Sequence, residues 1–274
     1  MTATTNPAPA AARTAPIPTS MIERMTLVLD AFDDSTPSLS LVGLSERTGL
    51  PRSTVHRILD QMVRLRWLAH CQDGYCLGIR PLELGGLAAE HSQVREVVDP
   101  LLHELCGQTG LVAHLAVLDQ REVVYLDRAG GRFAADLPTR MGGRMPAHAT
   151  ALGKAMLAGL DPKIVEANFR SRMATPTPNT VSDIDTLHRE LARVRNRHGV
   201  AIDREEALAG VTCAAAPLPG HRSAPAAISL CGDARTMHPE RYAHLVLHVA
   251  REASRALHPH RRRRAPSTSL GRPA

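Results

Sequence analysis

The feature that most constrains this chain is a basic, amphipathic segment from Pro51 to Arg66. It contains four arginines and the single acid Asp60. Positive potential concentrated on one helix is typical of a nucleic-acid contact, whereas the formal charge of the whole chain, +6, is concentrated in the basic residues 261–274. The alternative is a surface helix whose charges are only solvated. Apolar residues recur at the spacing of one helical face: Val55, Ile58, Leu59, Met62 and Leu65.

The residues before this segment predict two further helices and a tight turn. A helical period begins at Ser20, and Ser40 is placed to cap a short helix over residues 41–47. Gly49 permits a sharp turn, and Pro51 suits the first position of the next helix because its missing N–H would have no partner there. Two short helices joined by a glycine turn, the second of them basic, are the helix-turn-helix pattern.

The residues after the segment predict a small β-hairpin. Short strand-like stretches at 67–71 and 75–77 flank Asp73-Gly74, a dipeptide that favours hairpin turns. Three helices followed by a hairpin form a winged helix-turn-helix. An apolar stripe over residues 79–92 then indicates a linker helix, for which we expect a dimer contact because a lone linker helix has little else to bury against.

The rest of the chain alternates between strands and helices. A helical stripe over residues 94–105 contains Pro100, which is expected to start or kink a helix. Strands are predicted at 111–118 and 121–128, with a weaker one at 132–139, and later strands and helices follow to residue 257. This mixture predicts an α+β domain with an antiparallel sheet flanked by helices. The predicted organisation is a disordered tail (1–18), a winged helix-turn-helix domain (19–80), a linker helix (81–92), the α+β domain (93–258) and a basic disordered tail (259–274).

Two motifs in the first domain resemble the IclR family of bacterial transcriptional regulators: residues 50–59, LPRSTVHRIL, and residues 74–78, GYCLG. The resemblance continues through 114–118, 146–155, 175–176, 203–206 and 226–229. It implies a GAF-like effector-binding fold for the second domain. The function it implies is a ligand-responsive DNA-binding regulator of a metabolic or catabolic operon, acting as a homodimer or a dimer of dimers in the cytoplasm.

In this interpretation the exposed side of the basic helix contacts double-stranded DNA. Arginines reach guanine edges or phosphates, hydroxyls reach phosphates, and a histidine reaches a base edge. A two-fold dimer predicts a pseudo-palindromic operator with half-sites about one helical turn apart or a multiple of it. The predicted DNA-contacting residues are Arg52, Ser53, Thr54, His56 and Arg57.

The resemblance also implies where a small organic acid or aromatic effector would bind. Main-chain donors near Ala151 and Leu152, at the start of a helix, would hold a carboxylate. Cys231 stands where some relatives have serine, which favours a less polar ligand. The other implied residues are the polar or thiol group Asp203, Cys213, Ser229 and Cys231, and the apolar wall Ala134, Leu137, Met145 and Val211.

Enzymatic motifs are weak in this sequence, so we predict no catalytic residue, no metal and no cofactor. Lys154 could act as a Schiff-base amine but is expected to reach solvent, and His148 with Cys213 and Asp203 could form a metal or nucleophile site. The five cysteines are scattered, which favours reduced thiols, and no apolar run is long enough to span a membrane. Two alternatives remain at this stage: a constitutive DNA-binding oligomer without an effector, and a small-molecule enzyme that uses the C-terminal pocket.

Overall fold

The structure is a computed structural model that describes residues 20–33, 35–130, 133–134, 137–171, 173–219 and 225–258. The predicted tails at 1–18 and 259–274 lie outside the described residues. The chain divides into two compact units between Ala88 and Ala89.

The N-terminal unit is a winged helix-turn-helix. Within the described residues its strands form an antiparallel sheet of order β1-β3-β2. The two-residue strand β1 was not predicted, because so short a segment has no periodicity to detect. The elements are α1 (Met21–Asp30), β1 (Ser38–Leu39), α2 (Leu41–Thr48), α3 (Arg52–Arg64), β2 (Leu68–Cys71), β3 (Gly74–Leu77) and α4 (Ile79–Glu90).

Local chemistry explains where these helices begin and end. The Ser20 side chain caps α1 in a capping box with Glu23, and the Ser40 side chain caps α2. Gly49 ends α2 with a φ of 68°, a left-handed conformation that glycine adopts without strain. The prediction for Pro51 was wrong by one residue, because Pro51 precedes α3 and Arg52 is its first helical residue.

The apolar face of α3 forms the core of this unit. Val55, Ile58, Leu59 and Met62 are buried and pack with residues of α1 and α2. Leu65 was predicted to belong to this face but is 58% exposed, because α3 has already ended at Arg64. Val63 is partly buried against the same core, and the polar positions of α3 face outward.

The C-terminal unit is built on a curled antiparallel sheet. Among the described residues the sheet has six strands in the order β6-β5-β4-β9-β8-β7. Its elements are α5 (Gln93–Thr109), β4 (Val112–Asp119), β5 (Glu122–Ala129), β6 (Arg144–Pro146), a 3₁₀ turn (Ala147–Ala149), α6 (Ala151–Leu157), α7 (Pro162–Phe169), α8 (Ile184–Asn196), β7 (Ala201–Arg204), β8 (Val211–Pro217), β9 (Ala226–Asp233) and α9 (Pro239–Leu257).

Helices cover both faces of this sheet and produce two apolar cores. Residues of α5 and α9 pack with Leu115, Ile228 and Leu230 on one face. Residues of α6, α7 and α8 pack with Val112, Ala116 and other strand residues on the opposite face. The predicted α+β class, with an antiparallel sheet flanked by helices, is confirmed.

Two details of this unit differ from the prediction. Pro100 lies inside the single helix α5, so the predicted helix start at this residue was wrong. The weak strand predicted over 132–139 was also wrong, since Phe133 and Ala134 lie in a 3₁₀ turn and residues 137–140 are irregular. In the described part of the chain, no helix is both long and apolar enough to cross a membrane.

Candidate functional site

The outer face of α3 brings the five predicted DNA-contacting residues together. Arg52, Ser53, His56 and Arg57 are exposed, and Thr54 is partly exposed. They occupy the first two turns of the helix, opposite its buried face. The His56 ring lies 3.3 Å from the carboxylate of Asp60, one turn further along the same face.

The start of α3 leaves main-chain donors available. Pro51 provides no side-chain cap, so the N–H groups of Arg52 and Ser53 have no acceptor within the helix. Such groups, together with the helix dipole, favour an anion such as a phosphate oxygen. The first turn of α3 therefore combines a cationic side chain, a hydroxyl and free N–H groups.

The hairpin of β2 and β3 forms the wing, and its geometry depends on a close approach between the backbones of Gly74 and Leu39. Gln72 and Asp73 form its exposed tip, and Gly74 has a φ of 136°. A Cβ atom at Gly74 would lie 2.4 Å from the carbonyl oxygen of Leu39, so only glycine lets β1 pack against this hairpin.

A cavity lies in the C-terminal unit between α6 and the sheet. About 30 Å³ of it is open to the centre of a water molecule, which is room for about two waters. Ala134 packs against the neighbouring core but is not part of the cavity wall in the described residues. Nine of the ten residues predicted for effector binding line this cavity: Leu137, Met145, Ala151, Leu152, Asp203, Val211, Cys213, Ser229 and Cys231.

One end of the cavity is formed by the start of α6. The helix begins at Ala151, and the Thr150 hydroxyl accepts a hydrogen bond from the Gly153 N–H at 3.0 Å. A Cβ atom at Gly153 would lie 2.0 Å from the carbonyl oxygen of Ala147, so glycine allows the 3₁₀ turn to fold against the helix. The N–H groups of Ala151 and Leu152 are in the first turn, where no acceptor exists within the helix.

Asp203 is a buried carboxyl on the cavity wall. It is 2% exposed, and its Oδ1 accepts a hydrogen bond from the Glu206 N–H at 2.7 Å. Burial raises the pKa of Asp203 to about 7, although Lys154 and the Glu206 N–H partly oppose that increase. The carboxyl therefore keeps its proton to a much higher pH than a solvated aspartate does.

A buried ion pair lies behind Asp203. Lys154 was expected to reach solvent, but it is 0% exposed and its Nζ donates to Glu206 Oε1 at 2.5 Å. Burial raises the pKa of Glu206, and the neighbouring Lys154 lowers it in part. The ammonium therefore has a structural partner, which weakens the Schiff-base hypothesis.

Two thiols form the floor of the cavity. Cys213 on β8 lies directly opposite Cys231 on β9, and Ser229 Oγ is 3.7 Å from Cys231 Sγ. A hydrogen bond with Cys231 and burial raise the pKa of Cys213. We therefore expect the thiol of Cys213 to be neutral.

The proposed grouping of His148 with Cys213 and Asp203 was wrong. His148 Nε2 bonds the carbonyl oxygen of Ala174 at 2.8 Å, and the ring lines a separate surface depression beside Arg121 and Arg144. Within the ranges that the structure describes, no cluster of three or more histidine, cysteine or acidic residues could hold a metal ion.

Four polar residues of the cavity were missed in the sequence: His114, Tyr125, Thr139 and Thr150. His114 offered a signal, because it is the single polar residue between the apolar neighbours 112–118. Tyr125 offered a similar one in the adjacent strand. Thr139 and Thr150 come from irregular backbone, which has no periodicity that assigns a direction to a side chain.

Two family models match the chain. The helix-turn-helix domain model of the IclR family matches residues 21–70, and the model of the C-terminal domain of bacterial IclR regulators matches residues 87–258. The chain belongs to the IclR family. It is therefore a DNA-binding transcriptional regulator and not an enzyme, which confirms the family and function inferred from the sequence and excludes the enzyme alternative.

Curated relatives support this membership. The HTH-type transcriptional regulator XynR of Escherichia coli K12 is 34% identical over 205 residues, which cover 74% of this IclR-family chain and 81% of XynR. The transcriptional repressor IclR of the same organism is 29% identical over 238 residues, which cover 84% of this chain and 86% of the repressor.

A solved structure gives a related fold with a ligand. The crystal structure of an IclR homolog from Microbacterium hydrocarbonoxydans, in complex with 4-hydroxybenzoate, matches with a TM-score of 0.75 and 29% identity. The match covers 86% of this chain and all of that chain.

Proposed function

We propose that this IclR-family regulator controls a metabolic or catabolic operon by binding a pseudo-palindromic operator as a homodimer or a dimer of dimers. In this proposal a small organic acid enters the C-terminal cavity and changes the affinity for DNA. The observation that carries the proposal is the exposed basic face of α3, which lies on the opposite side of the helix from its buried apolar face.

The residues of α3 have distinct roles in this proposal. Arg52 and Arg57 contact guanine edges or phosphates, since a guanidinium matches both geometrically. Ser53 and Thr54 bind phosphate together with the N–H groups of the first turn, and His56 reaches a base edge. The wing residues Gln72 and Asp73 lie along the DNA backbone.

The experiment is a comparison of two double variants of the full chain. Operator sequences are first selected from a random duplex library with the wild-type protein, and binding is then measured at fixed salt. Because each well-placed arginine contact contributes about 1–3 kcal/mol, Arg52→Ala/Arg57→Ala should weaken specific binding by at least about 30-fold.

Arg189→Ala/Arg193→Ala provides the matched control. It removes the same charge from an exposed face of α8 and should change the affinity less than about threefold, an effect expected of remote surface charge alone. A footprint that survives the α3 variant, or an equal loss in the α8 variant, would contradict the role of α3.

The exposed apolar residues of α4 support the dimer. All residues of α4 are described and none is buried, while Ile79, Leu82, Leu84 and Leu87 are largely exposed. Several exposed apolar side chains on one helix favour an interaction site, and a second copy of α4 would bury part of this surface. A two-fold dimer also places two copies of α3 at symmetric half-sites.

The cavity supports control by an effector. It combines an apolar wall with a few polar groups, as ligand sites do, and the relative from Microbacterium hydrocarbonoxydans was crystallised with 4-hydroxybenzoate. We propose that the effector here is likewise a small, largely apolar carboxylic acid. Its carboxylate would accept hydrogen bonds from the N–H groups of Ala151 and Leu152.

The small free volume indicates that the cavity must open for such a ligand. Two irregular segments contribute to its wall: residues 137–140, through Leu137 and Thr139, and residues 205–210, through Ala207 and Leu208. Displacement of either segment would enlarge the cavity without unpairing the sheet. A ligand can shift the protein toward the opened form only by its difference in affinity for the two forms.

Thermal unfolding of the full chain with a panel of carboxylic acids tests this part. A ligand at 100 times its Kd stabilises the folded protein by about 2.7 kcal/mol, which should raise the Tm by several degrees. If no acid in the panel raises the Tm, the alternative of a constitutive DNA-binding oligomer is favoured.

A further inference from the structure

Two of the five cysteines face each other across the sheet of the C-terminal unit. Cys213 on β8 is the direct partner of Cys231 on β9, and both side chains line the cavity. The Cα atoms of directly opposite residues on antiparallel strands lie about 4.5–5.5 Å apart, within the range of about 4.4–6.8 Å that a disulfide requires. A bond between the two sulfurs therefore needs little movement of the backbone.

The other three cysteines lack this arrangement. Cys71 and Cys76 belong to the wing, where neither is directly opposite the other. Cys106 lies on α5, and its thiol donates to a main-chain carbonyl oxygen at 3.0 Å. All five cysteines lie in the described ranges, and all are free thiols there. The pair on the cavity floor is thus the one whose strand register suits a disulfide.

The surroundings of Cys231 favour its thiolate form. The hydrogen bond with Cys213 holds the pKa of Cys231 well below the usual thiol value, although burial opposes this effect. His114 and the hydroxyl of Ser229 lower the pKa further, and Ser229 Oγ lies 3.7 Å from Cys231 Sγ. Cys213 has the opposite shift and keeps its proton. Because the thiolate is the nucleophilic form of cysteine, Cys231 is the sulfur that reacts first.

The size of the cavity restricts which oxidant can reach the two sulfurs. Cys213 and Cys231 are only 8% and 5% exposed, so a bulky disulfide or organic hydroperoxide is excluded. The free volume of the cavity has room for about two waters. Hydrogen peroxide, a molecule of two oxygen atoms, is of this size. It fits beside the thiols without displacement of residues 137–140 or 205–210.

We propose that Cys213 and Cys231 are a redox-active pair, which hydrogen peroxide converts into a reversible disulfide on the cavity floor. The reaction requires neither DNA nor an organic acid and is therefore independent of the proposed function. Nothing in the sheet pairing of β8 with β9 has to change for the bond to form.

The reaction has two steps that balance. The Cys231 sulfur first attacks one oxygen of the peroxide, so that an S–O bond forms and the O–O bond breaks; the released hydroxide takes up a proton and leaves as water. The Cys213 sulfur then attacks the sulfenic acid of Cys231, so that the S–S bond forms and the S–O bond breaks. The hydroxyl leaves with the Cys213 proton as a second water. Each sulfur gives up one electron, and the peroxide takes up two.

Peptide mapping of the full chain tests for the disulfide. The protein is treated with a small molar excess of hydrogen peroxide and quenched in acid, and the remaining thiols are alkylated after unfolding. Trypsin releases Cys213 in the peptide 205–222 and Cys231 in the peptide 223–235. We expect these two peptides to be joined in the oxidised sample and separate after treatment with dithiothreitol. Non-reducing electrophoresis at the mass of one chain establishes that the bond is within a chain.

Two serine variants separate the roles of the sulfurs. In Cys213→Ser the sulfenic acid of Cys231 has no thiol to react with, so dimedone, a reagent for sulfenic acids, should label Cys231. In Cys231→Ser we expect Cys213 to be labelled at least about tenfold more slowly, because its thiol stays protonated. Cys106→Ser is the matched control and should form the joined peptides as the wild-type protein does. Thermal unfolding of each variant establishes that it is folded.

Three results would overturn the inference. The first is that Cys213 and Cys231 are both alkylated after peroxide treatment, or that Cys231 proceeds to the sulfinic acid without the joined peptides. The second is a disulfide that involves Cys71, Cys76 or Cys106 in place of the cavity pair. The third is equal labelling by dimedone in folded Cys213→Ser and Cys231→Ser, which would overturn the assignment of the first attack to Cys231.

Discussion

The buried ion pair between Lys154 and Glu206 gives a quantitative prediction for the variant Lys154→Met. The lysine is fully buried, and the glutamate side chain is 13% exposed. Methionine keeps most of the volume of lysine but removes the charge, so Glu206 would be left buried without its counter-ion. Removal of one partner from such a pair typically costs about 3–5 kcal/mol.

This cost should depend on pH. Burial already raises the pKa of Glu206, and loss of the ammonium would raise it further. Protonation of the carboxyl would relieve the stranded charge, so the penalty should be largest at pH 8 and should shrink toward lower pH by at most about 1.4 kcal/mol per pH unit. At pH 8 we expect the Tm to fall by about 6–20 °C.

The assay is differential scanning calorimetry of the full chain between pH 5.5 and 8. Lys163→Met is the matched control, because Lys163 is the other lysine of the chain and is exposed on α7. It should change the stability by less than about 0.5 kcal/mol. Lys154→Met/Glu206→Gln should recover stability at pH 8, since it removes the stranded charge. A loss below about 1 kcal/mol in Lys154→Met, or no recovery in the double variant, would refute the reasoning.

Three further predictions concern other parts of the fold. Because burial raises the pKa of Asp203 from 3.8 to about 7, the folded state holds a proton that the unfolded state loses between these values, and stability should fall by up to about 4 kcal/mol as pH rises through this window. Asp203→Asn should flatten that fall in urea titrations at several pH values; an unchanged slope would contradict the assignment. Leu82→Glu on α4 should lower the mass in analytical ultracentrifugation, while Ile164→Glu, at another exposed apolar position on α7, should not; equal effects would argue against α4 as the interface. Gly153→Ala should destabilise the chain by about 1–3 kcal/mol or more, because its Cβ would meet the carbonyl oxygen of Ala147 at 2.0 Å, and a wild-type Tm would show that the contact relaxes freely.

The sequence was most informative where local rules determine structure. The turn at Gly49, the apolar face of α3 and the Asp73-Gly74 hairpin each depend on residues close together in the chain, and each was predicted. Leu65 shows the limit of this reasoning. Its spacing continues the apolar face, but the helix stops one residue earlier, and periodicity does not reveal the end of a helix.

Prediction of the cavity residues required information beyond local sequence patterns. Most of its predicted residues came from a family resemblance, and their place on one wall requires the pairing of β8 with β9 and the packing of α6 against them. Pattern alone could not assign Lys154 to the interior, because an isolated lysine in an alanine-rich helix is usually exposed. Its burial depends on Glu206, a partner 52 residues away.

The tightness of the C-terminal cavity changes how effectors of this regulator should be ranked. Some compounds must displace residues 137–140 or 205–210 to bind. The free energy needed for that displacement opposes the favourable contacts, so the measured affinity is lower than the contacts alone would give. A slender compound that fits with little displacement could bind more strongly and yet switch the protein less. The change in expression of the regulated genes should therefore depend on how far a compound displaces these wall segments, rather than on its affinity for the protein.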